Sequence, residues 1–243
     1  MRNRLIVLPV VLVAAALVAV GYFGKRGAQD QISTAFAADY HLRHRPSVKI
    51  DGFPYLTQAL LGTYDKVEVA ISDWTSTPQN VEVRELRLQL HKVSASLPDA
   101  LFGSGREHLL FCSATATALV PFDSIRAHAF WRITNMVVTG QELRLEGTLQ
   151  GSLTLINVVV TARAQYVWGQ GIVITPTSVS APHGQDRLSN DQLRSRLVVT
   201  VPLVVLPGGA QPGQIQLTSA GVRVTASTDL QAPAPTARQR ACP

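Results

Sequence analysis

Residues 81–94, VEVRELRLQLHKVS, decide the fold class. Apolar and polar side chains alternate along them, which is the period-two pattern of a half-buried β-strand. The apolar parity changes twice, from Val81 and Val83 to the leucines at 86, 88 and 90, and then to Val93. A parity change of this kind predicts a β-bulge, which bends a strand and increases its twist. The run therefore predicts a long, bent antiparallel strand.

Alternation of the same kind recurs through most of the chain after residue 46. The runs are VEVAI at 67–71, ELRLEGTLQGSLTL at 142–155, VVVTARAQYVWG at 158–169, GIVITPTSV at 171–179, RLVVTVPLVV at 196–205, GQIQL at 213–217 and GVRVTAS at 221–227. In the second run the leucines from 143 to 155 continue the alternation, and Gly147 and Gly151 allow sharp local curvature. We therefore predict a mainly β (α+β) fold whose main element is a strongly curved antiparallel sheet.

Three short segments have helical features instead. Residues 27–40 place four apolar side chains on one stripe of a helix, namely Ala28, Ile32, Phe36 and Tyr40. Residues 121–130 begin with Pro121, which is typical of a helix start. Residues 189–197 begin with a polar cap, Ser189 or Asn190, and carry leucines four residues apart. We therefore predict few helices, each of them short.

The N-terminus predicts a membrane or export segment. Two arginines precede nineteen uncharged, mostly apolar residues from Leu5 to Phe23, which would span about 29 Å as a helix. The run is longer than the apolar region of a typical cleaved signal, but it is compatible with either a retained anchor or a cleaved signal. We therefore divide the chain into a membrane segment at 1–26, a β-rich domain at 27–230 and a disordered tail at 231–243.

Charge and cysteine content exclude some function classes. The formal net charge of +6 lies at the two ends, because residues 27–230 hold 16 basic and 16 acidic residues. A nucleic-acid-binding surface needs a clustered basic excess, so we expect no nucleic-acid partner. Two cysteines, Cys112 and Cys242, do not make a disulfide framework, and we interpret them as unpaired.

The sequence carries no motif that predicts catalysis. Its six histidines are scattered, no pair of cysteines has metal-ligand spacing, and Gly103-Ser104-Gly105 is too short for a serine nucleophile turn. We therefore expect a protein that is not an enzyme and that uses no cofactor or metal.

The chain instead has a surplus of apolar surface. Only 16% of its residues are charged, against about 25% in ordinary soluble domains. A bent sheet with few covering helices must place its inner face against something. A groove filled by acyl chains and a sandwich that fills its own core both satisfy this requirement, and the residues alone leave the two open.

The residues DGFPYLTQALLGTYDKVEV at 51–69 favour the groove. Gly52, the block FPYLTQ and Gly62 resemble the motif of the LmeA-like phospholipid-binding proteins, a family of actinobacterial cell-envelope proteins. The segment 199–227, with Leu206-Pro207 and Ala220-Gly221-Val222, resembles the closing segment of the family, and residues 114–125 resemble its middle segment. The resemblance covers most of residues 46–230.

The resemblance implies a fold and a function. The fold is an elongated, strongly curved sheet that wraps a helix around an apolar groove, similar to tubular lipid-binding folds. The function is that of an exported or membrane-tethered phospholipid-binding protein that supports cell-envelope lipid or glycolipid homeostasis or transfer. Phospholipid and membrane would be its partners, with envelope glycolipid-synthesis proteins as further partners. The alternative is a non-catalytic envelope scaffold or interaction domain.

Parity and resemblance together predict the residues that contact lipid. They lie on the inward parities of the strands and in the apolar block that follows Gly52, where the block either plugs the sheet or touches lipid. The predicted lipid-binding residues are Phe53, Tyr55, Leu56, Leu60, Leu86, Leu88, Leu90, Tyr166 and Trp168.

Overall fold

The computed structural model describes residues 24–30, 33–34, 37, 42, 44–52, 57–58, 61–76, 80–94, 111–151, 155–167, 169–181, 190–203 and 211–229. Over these residues the fold is mainly β, with antiparallel sheets and few helices. The predicted fold class is confirmed at this level.

The strands are β1 Ser47–Asp51, β2 Thr63–Ser76, β3 Val81–Ser94, β4 Ser113–Pro121, β5 Arg132–Thr139, β6 Glu142–Gln150, β7 Leu155–Val167, β8 Gly171–Ser180, β9 Val199–Val201, β10 Gln211–Thr218 and β11 Gly221–Asp229. Helix α1, Phe122–Ala127, joins β4 to β5, and α2, Asn190–Arg196, lies between β8 and β9. Residues 24–30 are also helical.

The strands form two sheets. A six-stranded sheet has the order β1-β2-β3-β4-β11-β10, and a five-stranded sheet has the order β5-β6-β7-β8-β9. The pairs β1–β2, β10–β11 and all four neighbouring pairs of the five-stranded sheet are antiparallel. The antiparallel arrangement therefore agrees with the alternation in the sequence.

The five-stranded sheet curls around α1. This helix packs against both β5 and β9, which are the two edge strands of the sheet. Six helical residues span about 9 Å, whereas the edges of a flat five-stranded sheet are about 19 Å apart. One helix can touch both edges only because the sheet is strongly curled into a half-barrel. The predicted strong curvature of the sheet is confirmed.

The parity changes in β3 are confirmed residue by residue. Val81 and Val83 are buried, the buried positions then move to the leucines at 86, 88 and 90, and they move again to Val93. Lys92 has a φ of 51° at the second change. This left-handed conformation is the local kink that a bulge requires, and a lysine adopts it only at a cost in free energy.

The chain divides into two compact units. Among the described residues, unit 1 comprises those in Met1–Ile71, Leu88–Ala114 and Asp229–Pro243, and unit 2 comprises those in Ser72–Arg87 and Thr115–Thr228. The predicted boundaries at residues 26 and 230 stay predictions.

Unit 2 has a closely packed apolar core. Its largest fully buried side chains are Leu86, Ile125, Leu143, Leu145, Ile172, Ile174, Leu197 and Leu203. Gly147 in β6 lets β5 come close, since a Cβ atom at this position would lie 2.0 Å from the carbonyl oxygen of Arg132 and 2.8 Å from the Trp131 ring. The predicted role of Gly147 in local geometry thus has a specific cause, which is the close approach of a neighbouring strand.

The run at 142–155 is two strands rather than one. Leu143, Leu145 and Leu149 are buried in β6, as the alternation predicts, but Leu155 begins β7 and is 65% exposed. The prediction that Leu155 continues the buried face is therefore wrong, because the chain turns between Gln150 and Leu155.

The predicted helices at 121–130 and 189–197 are confirmed. Pro121 is the N-cap of α1, and both leucines of the second segment, Leu193 and Leu197, are buried. In the segment 27–40, Ala28 lies in the helical residues 24–30 and is buried. The other members of that stripe, Ile32, Phe36 and Tyr40, lie outside the described residues.

The predicted apolar span from Leu5 to Phe23 and the predicted tail at 231–243 also lie outside the described residues. Across the parts of the chain that the structure describes, no helix combines the length and the apolar character that crossing a membrane requires.

The interpretation of Cys112 as unpaired is wrong. Cys112 is disulfide-bonded in the structure. The sequence contains one other cysteine, Cys242, which lies outside the described residues. Two cysteines 130 positions apart carry no spacing signal, so the sequence pattern gave no reason to pair them.

Candidate functional site

Three neighbouring strands of the six-stranded sheet present apolar side chains within unit 1. Val48 and Ile50 of β1 face Val69 and Val67 of β2 in the register of the two strands, and all four are buried. The next strand, β3, adds Leu88 and Leu90, which are also buried. We call these six residues, Val48, Ile50, Val67, Val69, Leu88 and Leu90, the unit 1 apolar face.

The unit 1 apolar face is buried, but some of its side chains are less completely covered than the innermost side chains of unit 2. Val48 and Val67 each keep 8% of their surface exposed and Leu90 keeps 7%, whereas Leu145 and Ile174 in the five-stranded sheet are 0% exposed. An aliphatic side chain that keeps contact with solvent gains less from burial than a fully covered one. The unit 1 apolar face therefore keeps a small accessible area at Val48, Val67 and Leu90.

The two ends of the predicted lipid-binding block meet beside this face. Gly52 has a φ of 128°, and a Cβ atom there would lie 1.9 Å from the side chain of Gln58. The Gln58 side-chain oxygen accepts a hydrogen bond of 3.2 Å from the backbone N–H of Asp65, near the start of β2. Gly52 is needed here because an L side chain would both strain the backbone and displace Gln58. We call this arrangement the Gly52–Gln58 clamp.

A polar pair continues from the Gly52–Gln58 clamp to β3. The carboxylate of Asp65 accepts a hydrogen bond of 3.0 Å from the ammonium group of Lys92, the residue of β3 with a positive φ. Both side chains are more than half exposed, so this ion pair contributes little to stability, about 0–1 kcal/mol. Its effect is to place charge at the edge of the unit 1 apolar face while the face itself stays apolar.

Buried polar side chains are few among the described residues, and the two buried serines have backbone partners, whereas the buried Nε of Arg126 and Nε1 of Trp131 have no hydrogen-bond partner. The buried polar side chains among the described residues are Ser33 and Ser124. Ser33 donates to the carbonyl oxygen of Pro46, and the Ser124 hydroxyl accepts from the backbone N–H of Glu82. The nearby His128 ring donates to the carbonyl oxygen of Ser124 rather than to its hydroxyl.

Several charged side chains on the outside of the described part of the protein form ion pairs. In the five-stranded sheet Arg144 pairs with Glu146, and Arg163 pairs with Glu142. Among the described residues, no group of three or more histidine, cysteine or carboxylate side chains could hold a metal ion. What the described residues offer chemically is an apolar face with a polar edge, which suits binding of an amphipathic molecule.

Comparison with protein-family models identifies the family of this chain. Residues 21–227 match the model of a family described as LmeA-like phospholipid-binding. The chain belongs to the LmeA-like phospholipid-binding family. The match includes the Gly52–Gln58 clamp, the unit 1 apolar face and the whole of the five-stranded sheet. Membership points to lipid binding, and the family is described by what it binds rather than by a reaction. A search of the curated proteins found no match, and neither did a search of the solved structures.

In this member of the LmeA-like family, some predicted lipid-binding residues are described and others are not. Phe53, Tyr55, Leu56, Leu60 and Trp168 lie outside the described residues. Their neighbours in the sequence, Gly52 and Gln58, are described and form the clamp. The contribution of the undescribed residues to lipid binding stays a prediction.

The predicted lipid-binding residues that the structure describes lie in two sheets. Leu86, Leu88 and Leu90 share the buried side of β3, with Leu86 in unit 2 and the other two in the unit 1 apolar face. Tyr166 lies on β7 of the five-stranded sheet, where its hydroxyl donates a hydrogen bond of 3.0 Å to the carbonyl oxygen of Leu203. Burial raises the pKa of Tyr166, because desolvation disfavours the phenolate.

Sequence reasoning missed Gln58 and Asp65 as functional candidates. The signal for Gln58 was present, since it closes the block that resembles the family motif. The signal for Asp65 was absent, because its contacts with Gln58 and Lys92 depend on how β2 and β3 bend.

Proposed function

We propose that this protein holds the acyl chains of a phospholipid against the unit 1 apolar face, with the Gly52–Gln58 clamp positioning the apolar block 53–56 beside them. The observation that carries the proposal is the match of residues 21–227 to a phospholipid-binding family, because the matched range includes both the unit 1 apolar face and the Gly52–Gln58 clamp. Each methylene group that an acyl chain buries contributes about 0.8 kcal/mol. An acyl chain held on an aliphatic face therefore stays out of water, which offsets most of the cost of removing it from a membrane.

The polar edge supports the same proposal. Lys92 and Asp65 lie where the strands of the unit 1 apolar face end, and Leu61, which follows the block, is 72% exposed. A lipid whose tails lie on the face would place its headgroup at this edge, where a lysine ammonium group can bind a phosphate. The exposed leucine would lie among the acyl chains or in the membrane from which they come.

We further propose that the domain acts outside the cytoplasm, tethered by its N-terminal segment or released from it. Two observations support this placement. The apolar run from Leu5 to Phe23 has the length of a membrane span. Cys112 is disulfide-bonded, and disulfides persist in oxidising compartments rather than in the cytosol. In that setting the protein supports lipid or glycolipid homeostasis or transfer in the cell envelope, with the membrane and envelope glycolipid-synthesis proteins as partners.

Two matched tryptophan substitutions test the proposed lipid site. Leu88→Trp adds bulk on the incompletely covered face, and Leu145→Trp adds similar bulk in the closed core of unit 2. We expect Leu88→Trp to abolish phospholipid binding by the full chain with little change in melting temperature. We expect Leu145→Trp to lower stability by about 1–3 kcal/mol through overpacking. Phospholipid retained after detergent exchange is extracted and quantified by mass spectrometry.

The opposite pattern would overturn the proposal. If Leu88→Trp loses stability as Leu145→Trp does and the parent chain retains no phospholipid, the face is a self-filled core. Co-purification of another protein in place of lipid would instead support a scaffold.

A further inference from the structure

Two exposed apolar side chains lie at the same end of the five-stranded sheet. Phe130, in the turn between α1 and β5, is 92% exposed, and Leu155, the first residue of β7, is 65% exposed. They are the most exposed large apolar side chains among the described residues of unit 2. Large apolar groups that are fully hydrated are unfavourable unless they meet a partner, so this end calls for an explanation.

The strand register places the two side chains at the same level. Gln150, at the end of β6, faces Leu155, and Arg132, at the start of β5, faces the residue two positions before Gln150. Phe130 precedes Arg132 by two residues and therefore lies at the level of Gln150. One strand separates Phe130 from Leu155, which corresponds to about 10 Å across the sheet. Together with Gln150 we call Phe130 and Leu155 the sheet-end patch.

The side chains of the sheet-end patch share the outer side of the sheet. Gln150 and Leu155 are exposed, while their neighbours Leu149 and Ile156 are buried. Just before and at the start of β5, the exposed Phe130 and Arg132 flank the buried Trp131. The patch therefore faces away from the core of unit 2 and is available to a partner.

Basic side chains outnumber acidic ones around the sheet-end patch, where the described charged groups are Asp123, Arg126, Arg132, Asp191, Arg194 and Arg196. Arg126 on α1 pairs with Asp123, but among the described residues Arg132 has no ion-pair partner. On the far side, α2 packs against β8 and exposes Arg194 and Arg196. Since β9 begins opposite Ile174 and runs antiparallel to β8, the chain before it, including α2, lies beside the second half of β8. The second half of β8 lies at the same end of the sheet as the sheet-end patch. Its last residue, Ser180, pairs with Val159 near the start of β7, where Leu155 lies.

We propose that the sheet-end patch is a membrane-docking surface, on which Phe130 and Leu155 enter the interfacial region of an anionic lipid surface and Arg132 contacts lipid phosphates. Exposed apolar side chains flanked by arginines are the combination that binds anionic membranes peripherally. The inference rests on the proposed function only for its choice of a membrane as the partner. It adds a second surface, distinct in residues from the unit 1 apolar face.

Site-specific photo-crosslinking tests docking with the full chain. A photoreactive phenylalanine analogue is placed at position 130, 155 or 137, and the protein is reconstituted with vesicles of phosphatidylcholine, with or without phosphatidylglycerol. Position 137 is the matched control, since Val137 is also exposed on β5 but lies roughly 20 Å further along the strand. We expect lipid adducts at 130 and 155, several-fold fewer at 137, and lower yields without phosphatidylglycerol or at high salt.

A companion variant separates docking from lipid holding. Phe130→Ser, combined with the analogue at 155, should reduce the lipid adducts at 155 several-fold, while the phospholipid retained after detergent exchange stays unchanged. Because Phe130 is exposed, the variant should keep the parent melting temperature. Equal adducts at 137 and 130, adducts to protein alone, or no adducts at all would overturn the docking surface. If the parent chain retains no phospholipid after detergent exchange, the proposed function is overturned instead.

Discussion

Units 1 and 2 are both built from strands in which apolar and polar side chains alternate, but some apolar side chains of unit 1 are less completely covered than the innermost ones of unit 2. In unit 2 the five-stranded sheet curls until α1 contacts both of its edges, and residues such as Leu143, Leu145 and Ile172 become fully buried. In unit 1 the buried sides of β1, β2 and β3 keep a strip of accessible surface at Val48, Val67 and Leu90. The comparison teaches that an alternating pattern predicts which side of a strand is apolar, whereas the cover over that side decides whether it is a core or a site.

The strongest test of this difference in cover is to truncate one buried leucine to alanine in each unit. Leu145→Ala empties a fully covered position, and we expect it to destabilise the protein by about 4 kcal/mol. Leu88→Ala removes a side chain from the unit 1 apolar face, which can relax or admit water, and we expect about 2 kcal/mol. Urea denaturation followed by circular dichroism measures both. Equal losses would mean that the two faces are covered alike.

A glycine substitution tests how tightly unit 2 is closed. Gly147→Ala places a methyl group against the backbone of β5, which cannot move without disturbing the register of the sheet. We expect a loss of about 3 kcal/mol from this overpacking. Gly213→Ala is the matched control, because nothing lies within 4 Å of the Cβ position there. Thermal melts of the two variants should differ by many degrees, and a stable Gly147→Ala would refute the close approach.

The Gly52–Gln58 clamp can be tested on the unit 1 side. Gly52→Ala strains a positive φ and displaces Gln58, and we expect a stability loss of about 1–2 kcal/mol together with weaker phospholipid binding. Gly140→Ala imposes a positive-φ strain in open space, so it should cost about 1 kcal/mol and leave binding unchanged. Lipid retention and melting temperature are measured side by side. If both variants bind lipid equally well, the clamp does not position the block.

The smallest expected effect concerns Tyr166. Tyr166→Phe removes one hydrogen bond to Leu203 and should cost about 1 kcal/mol at neutral pH. Burial raises the pKa of this tyrosine above its ordinary value of 10.0. Its stabilising effect is therefore complete below the unfolded-state pKa and is lost as pH rises through the folded-state pKa.

Alkaline denaturation checks the sign of that dependence. Between about pH 9 and about pH 12 the parent should lose more stability than Tyr166→Phe, because only the parent must ionise a buried phenol. A variant that loses as much stability as the parent over this range would contradict the assignment.

Local pattern predicted much of the fold. The two parity changes in β3 follow directly from the order of leucines and valines, and Pro121 marks the start of α1 because a proline is tolerated there. Leu155 was mispredicted, since the alternation in the sequence continues from Gln150, where β6 ends, to Leu155, where β7 begins. Local sequence carries no information about a contact such as Gly52 with Gln58 or Lys92 with Asp65 until the strands are paired.

The site was predictable only in part for the same reason. Parity identified Leu88 and Leu90 as inward-facing, and the family motif pointed to the block after Gly52. Neither signal distinguishes 0% from 8% exposure, which depends on the packing of elements distant in sequence. The disulfide at Cys112 is another long-range feature that local spacing cannot reveal.

Native mass spectrometry of the full chain after detergent exchange tests the central claim most directly. The account predicts that the parent chain carries at least one bound species that dissociates on activation with the mass of a phospholipid. It also predicts that Leu88→Trp lacks this species while Phe130→Ser retains it. A parent chain that carries no phospholipid, or a Leu88→Trp chain that carries as much as the parent, would contradict a lipid site on the unit 1 apolar face.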